Sequence, residues 1–439
     1  MLARLRTFFR SSGFVLNFRR VWLLILLWAI LASLALQTQR DLFFRLSYLI
    51  LLVVLVSFVW AVYSIQSFRL ERRLVTPRTQ VGKLAEERFV AVSTGRLPKL
   101  FIELDDFSDL PGHRVSRVLN ALAPRVRYSW NVRTLCRKRG RYRLGPLTVT
   151  SGDPFGLFLF RRAVPDSTFG ITVYPMVIDL PTFAAPIGYL RGGDALQRRT
   201  HIITTNVAGT REYIPGDTFN RIHWASSAKH DRLIVKEFEL DPTSDVWIFL
   251  DLEKNVHYGA WWQDAYYQKT SDQLWGAERI VKLAPHTEEY TVTIAASIAR
   301  YFINQQRAVG MIGFGERPVI IQPDRSERQL VRLFETLGVV QAQGRLPFSR
   351  VLAEQTARLS RNITLVVVTP SVEPDWIRYA QEMRRRGHHL VAVLVDVASF
   401  GAAVATQAAL EGLVSSGVTT YVVREGDDLR AALVSPIRK

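Results

Sequence analysis

The side chains with the types to perform chemistry gather in one stretch of this 439-residue chain. Arg211-Glu-Tyr213-Ile-Pro215-Gly216-Asp217 leads into Arg221-Ile-His223-Trp224, then Ser226-Ser227-Ala-Lys229, and closes at Lys236-Glu237. A serine nucleophile, a histidine base and a carboxylate are the set an acyl-transfer hydrolase needs. Ser226 or Ser227, His223 and Asp217 would supply it. Against that reading, all four lie between positions 217 and 227, whereas such triads are assembled from distant parts of a chain, and no Gly-x-Ser-x-Gly elbow accompanies them. A second reading makes Arg211, Tyr213, Asp217, Arg221, His223, Ser227 and Lys229 a polar face for a partner or ligand. A third is structural. Pro215-Gly216-Asp217 is turn chemistry, Asp217 and Arg221 are i,i+4 neighbours on a following helical turn, and Ile222 and Trp224 bury to lock two domains together. No Cys/His cluster, His-Glu-x-x-His or phosphate loop occurs elsewhere; Gly310-Met-Ile-Gly313-Phe-Gly315 reads as a strand.

The elements that position this stretch differ on its two sides. From about residue 241 to 439, apolar strands alternate with amphipathic helices, the pattern of an α/β doubly wound domain. Strands are predicted at Val246–Leu250, Val309–Phe314, Pro318–Ile321, Ile363–Thr369, Leu390–Val395 and Thr419–Val423. Helices are predicted at Thr287–Gln306, Ser326–Leu337 and Asp375–Arg386. An insertion from Val256 to Pro285 carries Tyr258, Trp261, Trp262, Tyr266, Tyr267 and Trp275, either a private mini-core or a partner-binding face. From 79 to 180, short alternating runs broken by Gly and Pro predict an antiparallel β sandwich. Residues 125–143 hold eight basic side chains and no acid, either a solvated strand face or a patch lying on anionic headgroups.

The first 78 residues form the third region. Val21–Leu36 and Leu46–Ile65 are long apolar runs, read as two transmembrane α-helices. The formal charge of +18 looks at first like a nucleic-acid signature, but residues 1–78 carry half of it, +9. Arginines flank the apolar runs at Arg4, Arg6, Arg10, Arg19 and Arg20 on one side, and at Arg69, Arg72, Arg73 and Arg78 on the other. That placement favours membrane orientation over nucleic acid, with both termini cytoplasmic and a short external hairpin. The lipid bilayer is thus the expected partner, and no nucleic acid. A single cysteine, Cys136, forbids an intrachain disulfide and suits a reducing compartment.

The run from Arg211 to Ala228 resembles the signature of the bacterial family catalogued as "domain of unknown function 58", R-x-Y-x-P-G-D-x-x-R-x-I-x-W-x-x-S-A, with one residue of spacing variation between Asp217 and Arg221. The resemblance implies a membrane-anchored multidomain protein of the bacterial inner membrane. Its regions would be a hairpin (1–78), a sandwich (79–180), the signature segment (181–240) and a von Willebrand factor A-like domain (241–439). It implies a non-enzymatic interaction scaffold working with a MoxR-type AAA+ ATPase and other membrane or envelope proteins in assembly or maturation of complexes. A hydrolase centred on 211–237 is the alternative. Von Willebrand A domains often hold Mg²⁺ through Asp-x-Ser-x-Ser after the first strand; here that stretch is Asp251-Leu-Glu253-Lys-Asn255, a degenerate site, so no cofactor is expected.

Overall fold

The computed structural model describes residues 12–16, 18–120, 122–183, 207–214, 222–238, 245–261, 282–359 and 363–437. They divide into two compact units.

The first unit opens with strand β1 (Ser12–Leu16), followed by helices α1 (Phe18–Thr38) and α2 (Asp41–Gln66). Both helices are long and apolar enough to cross a membrane. Next come β2 (Phe68–Leu74), β3 (Arg78–Gln80), β4 (Leu84–Ser93), β5 (Ile102–Asp106), β6 (Arg117–Leu119), β7 (Arg127–Leu135), β8 (Gly140–Leu144), β9 (Leu147–Gly152), β10 (Phe158–Ala163) and β11 (Phe169–Tyr174). They form sheets ordered β1-β10-β9-β5-β6, β2-β4-β7 and β3-β11-β8. Phe68, Leu70 and Phe89 of the second sheet share one core with Ile102, Leu104, Leu147 and Val149 of the first, which makes the module a sandwich.

Three features of this unit depart from expectation. The sandwich is not wholly antiparallel: the chain crosses between sheets at Pro77, so β3 meets β11 running the same way. Strand β1, upstream of the first helix, pairs with β10 and joins the sandwich, which therefore does not wait until residue 79. Strand β2 also begins inside the stretch assigned to the hairpin, and its alternation turns Arg72 inward with Phe68 and Leu70. Arg72 therefore does not flank a membrane. It bridges Glu87 at 3.0 Å and Asp106 at 3.1 Å, and His113 Nε2 lies 3.1 Å from Asp106, all four side chains being fully buried. Burial pushes the Glu87 carboxyl up, outweighing the Arg72 and His113 charges. At Asp106 burial acts upward too, but hydrogen bonds from His113 and Ser108 and the Arg72 charge win, and its pKa is lowered. Cys136 is buried, and burial raises its thiol to about 12, leaving it unreactive.

In the second unit, β12 (Val207–Glu212) pairs antiparallel with β13 (Ile234–Phe238), and the seven-residue helix α3 (Trp224–His230) lies between them in sequence. The rest is a six-stranded sheet with flanking helices. Its elements are β14 (Val246–Leu250), α4 (Thr287–Asn304), β15 (Val309–Phe314), β16 (Pro318–Asp324), α5 (Glu327–Val339), α6 (Phe348–Thr356), β17 (Thr364–Thr369), α7 (Pro374–Arg385), β18 (His389–Val395), α8 (Gln407–Ser415), β19 (Thr419–Val423) and α9 (Leu429–Ala432). Strand order is β16-β15-β14-β17-β18-β19, parallel except for the edge strand β16. Strands β14 and β17 are buried throughout, because helices cover both faces. One face packs Ile248, Val366 and Val393 against α4, the other packs Phe249, Val367 and Ala392 against α6 and α7. The order reverses between β14 and β17, and an open α/β sheet places its crevice outside the carboxyl ends of strands at such a point.

Candidate functional site: signature face and strand-end carboxylates

The signature residues are positioned by the β12–α3–β13 unit. Arg211 stands opposite Val235 in the β12–β13 ladder. Tyr213, half-buried, donates its backbone N–H to Leu233 O at 2.9 Å. Pro215, Gly216, Asp217 and Arg221 lie outside the described residues, and so does the expected Asp217–Arg221 pair. Ile222 is buried and bridges to Val235. His223 caps α3: its Nδ1 accepts the Ser226 N–H at 3.2 Å and sits 2.6 Å from Ser226 Oγ. Ser227 is buried as a stitch between elements, donating to His223 O at 3.1 Å and accepting the Ile234 N–H at 2.9 Å. A hydroxyl held by two backbone groups is a structural clasp. Lys229 lies exposed in the last turn of α3, where a cation complements the helix dipole.

Trp224 overturns its expectation. Instead of burying beside Ile222 it is 65% exposed, and Ile214 and Leu233 of the same small unit are exposed as well. The physical reason is size: a seven-residue helix over a two-stranded ribbon has one inner face, which Ile222, Ser227, Ile234 and Val235 fill. The neighbours Ile214 and Leu233 carry no motif signal, and only the backbone pairing brings them to this unit.

The second group sits at the carboxyl ends of β14 and β17. Thr369, last residue of β17, donates its hydroxyl to Asp251 Oδ2 at 2.5 Å, and Ser371 N donates to Thr369 Oγ1 at 2.9 Å. Asp251 Oδ1 accepts the Glu253 N–H at 3.0 Å. Burial raises the Asp251 carboxyl to about 7; the bonds from Thr369 and Glu253 N oppose this, while the Glu253 and Glu373 charges add to it. Glu253 is also raised, chiefly by burial, and its Oε2 accepts the Phe348 N–H at 3.0 Å at the start of α6. Asn255 is exposed on the 3₁₀ turn Lys254–Val256.

Mg²⁺ demands a near-octahedral oxygen shell. Here both Asp251 oxygens already accept hydrogen bonds, Glu253 is turned to α6, and Asn255 points to solvent, so this donor set does not fit the ion. Among the described residues no group of three or more His, Cys, Asp or Glu could hold a metal. Sequence reading placed Asp251 at this strand end but missed its partner Thr369, which is 118 residues away. Of the aromatic insertion, Tyr258 and Trp261 are described and exposed, Trp261 stacking on His286 at 4.2 Å; Trp262, Tyr266, Tyr267 and Trp275 lie outside the described residues.

Residues 209–399 match the model of the family described as "Protein of unknown function DUF58". The chain is similar to the uncharacterised protein YeaD of Bacillus subtilis strain 168, with 21% identity over 350 residues covering 76% of this chain and 78% of that protein. Among solved structures it is similar to the CARDB domain of a Pyrococcus furiosus protein, at 16% identity over 24% of this chain and 86% of that one, with a TM-score of 0.18. The alkylpurine DNA glycosylase AlkC of Pseudomonas fluorescens matches at 14% identity over 24% of this chain and 30% of that one, with a TM-score of 0.17. TM-scores this low carry no argument about fold or function. The matched stretch takes in most of β12, with α3, β13 and the sheet through β18, and it is this region that is similar to the family described as protein of unknown function DUF58.

Proposed function

We propose that this protein is a membrane-tethered interaction scaffold, anchored by α1 and α2, whose signature face docks a protein partner. The observation that carries the reading is the exposure of Trp224 in the segment where the chemistry-bearing residues gather. A solvent-facing tryptophan in a small unit that also exposes Ile214, Leu233, Lys229, His230 and Arg232 has the composition of an interface anchor. The partner proposed from the family resemblance is a MoxR-type AAA+ ATPase, acting with this protein in assembly or maturation of envelope complexes.

The α/β domain is a von Willebrand factor A-like domain in this reading, supported by its strand order and antiparallel edge strand. It works without Mg²⁺, since Thr369 and Glu253 N already engage the Asp251 carboxylate. Positive flanks keep both termini on the cytoplasmic side of the bacterial inner membrane. Pull-down from detergent-solubilised membranes, with and without nucleotide, tests the scaffold. Wild type should recover an AAA+ ATPase and Trp224→Ala should not; recovery of none by wild type in either condition would overturn the partner assignment.

One observation favours the hydrolase alternative, the 2.6 Å approach of His223 Nδ1 to Ser226 Oγ. Ser226→Ala separates the readings: loss of function with AAA+ capture intact points to chemistry, and retained function to docking.

A further inference from the structure

The two spanning helices differ in length. The apolar stretch of α1, Arg20–Thr38, has 19 residues, about 28 Å at 1.5 Å each and close to a hydrocarbon core of about 30 Å. Helix α2 has 26 residues, about 39 Å. A two-residue turn, Gln39-Arg40, ties their outer ends level, so the surplus of about 10 Å emerges at the other end of α2.

That end is built into the sandwich. Ala61, Ser64 and Ile65 are buried there. Tyr63 Oη accepts the Arg96 N–H at 2.5 Å, and Lys99 donates to Ser64 O at 2.9 Å. One turn higher, Phe58 meets Phe158 and Phe160 edge-to-face at 5.5 and 6.1 Å. The sandwich thus climbs α2 to the level at which α1 leaves the hydrocarbon. A direct contact marks that level: Arg20 donates to Phe155 O at 3.2 Å.

Phe155 is 59% exposed on a turn whose shape is fixed. Asp153 accepts the N–H groups of Phe155, Leu157 and Phe158 at 2.9, 2.8 and 2.7 Å. Gly156 has φ +67°, a backbone conformation that favours glycine, and the turn passes close to the arginine there, the position of a Cβ lying 2.7 Å from Arg20 Nη1. Keeping an aromatic ring in water on a rigid turn is unfavourable. At the boundary of a bilayer the same ring occupies the zone where aromatic side chains concentrate, with an arginine beside it for lipid phosphate.

We propose that the Asp153–Leu157 turn is an interfacial wedge, with Phe155 seated at the headgroup–acyl boundary and Arg20 facing the phosphate of an anionic lipid. This rests on the reading that α1 and α2 span the bilayer, so the test reports on both. The full chain would be reconstituted into vesicles of phosphatidylcholine with phosphatidylglycerol, carrying a nitroxide at Phe155→Cys, Leu51→Cys or Val75→Cys in turn. Leu51 lies mid-helix and Val75 just beyond the far end of β2; all three are exposed, while Cys136 is buried and inert to the label. Collision with oxygen relative to a water-soluble nickel chelate reads depth. The expected result is a ratio several-fold higher at 155 than at 75, highest at 51, and lowered at 155 by Arg20→Gln only when phosphatidylglycerol is present. Equal ratios at 155 and 75, with 51 in lipid, would overturn the wedge and leave the anchor standing. An aqueous ratio at 51 would overturn the anchor itself. A ratio at 155 that ignores both Arg20→Gln and lipid charge would overturn the role given to Arg20.

Discussion

Thr369 and Asp251 lie at the ends of adjacent parallel strands, and the threonine hydroxyl donates to the buried carboxylate at 2.5 Å. At the switch point of the sheet, where a ligand would be expected, the carboxylate is thus satisfied from within the protein.

A pH dependence follows. The Asp251 carboxyl titrates near 7 when folded and 3.8 when unfolded, so between those values the folded state holds the extra proton. Stability contributed by this group is full below 3.8, falls as pH climbs toward 7, and stays at its lower value above. Asp251→Asn should flatten that part of the curve, and at pH 8 should be neutral or stabilising by up to a few kcal/mol. Urea unfolding of the detergent-solubilised protein at pH 5 and pH 8 measures the difference; equal slopes for variant and wild type would contradict it.

Ile222 and Trp224 are two positions apart with opposite environments. Ile222→Ala removes a buried side chain and should cost about 2–5 kcal/mol. Trp224→Ala removes an exposed one and should cost within about 0.5 kcal/mol. Thermal unfolding of the pair checks this, and a large loss from Trp224→Ala would put the ring in a core.

Arg72 neutralises two carboxylates in the sandwich interior. Arg72→Met leaves Glu87 and Asp106 buried without it, at a cost of about 3–5 kcal/mol. Adding Glu87→Gln should recover part of this loss, since one uncompensated charge is removed. A double-mutant cycle that comes out additive would argue against the network.

Lys99 is buried against the last turn of α2, and burial lowers its pKa to about 8 from 10.5. Below pH 8 the fold carries the penalty of a buried ammonium, which is relieved as pH rises toward 10.5. Relative to Lys99→Met, wild type should therefore gain stability between pH 8 and 10.5, read as the difference in Tm across that range. A constant difference would show that the amine is well solvated and keeps its ordinary pKa in the fold.

How much of this was legible in the sequence depended on the range of the contacts. Val246–Leu250 and Val309–Phe314 form strands over the predicted residues, because parallel strands buried on both faces read as near-continuous apolar runs, and the edge strand Thr419–Val423 was legible from its β-branched and aromatic residues. Helices α6 and α8 escaped notice: each is nine residues long, too short for periodicity to stand out, and α8 carries Gly412. Strand β1 was hidden because its partner β10 lies more than a hundred residues on. The four arginines after the second apolar run read as one membrane flank, and only strand phase separates the buried Arg72 from its exposed neighbours. At the signature, residue types announced a site, but the outward turn of Trp224 depends on how little core a short helix and a ribbon offer.

Site-specific photocrosslinking in intact membranes tests the central claim most directly. With a photoreactive phenylalanine analogue replacing Trp224, the docking account predicts an adduct with a AAA+ ATPase, and none from the same group placed at exposed Val331 on α5. No adduct at 224, or equal adducts at both positions, would contradict it.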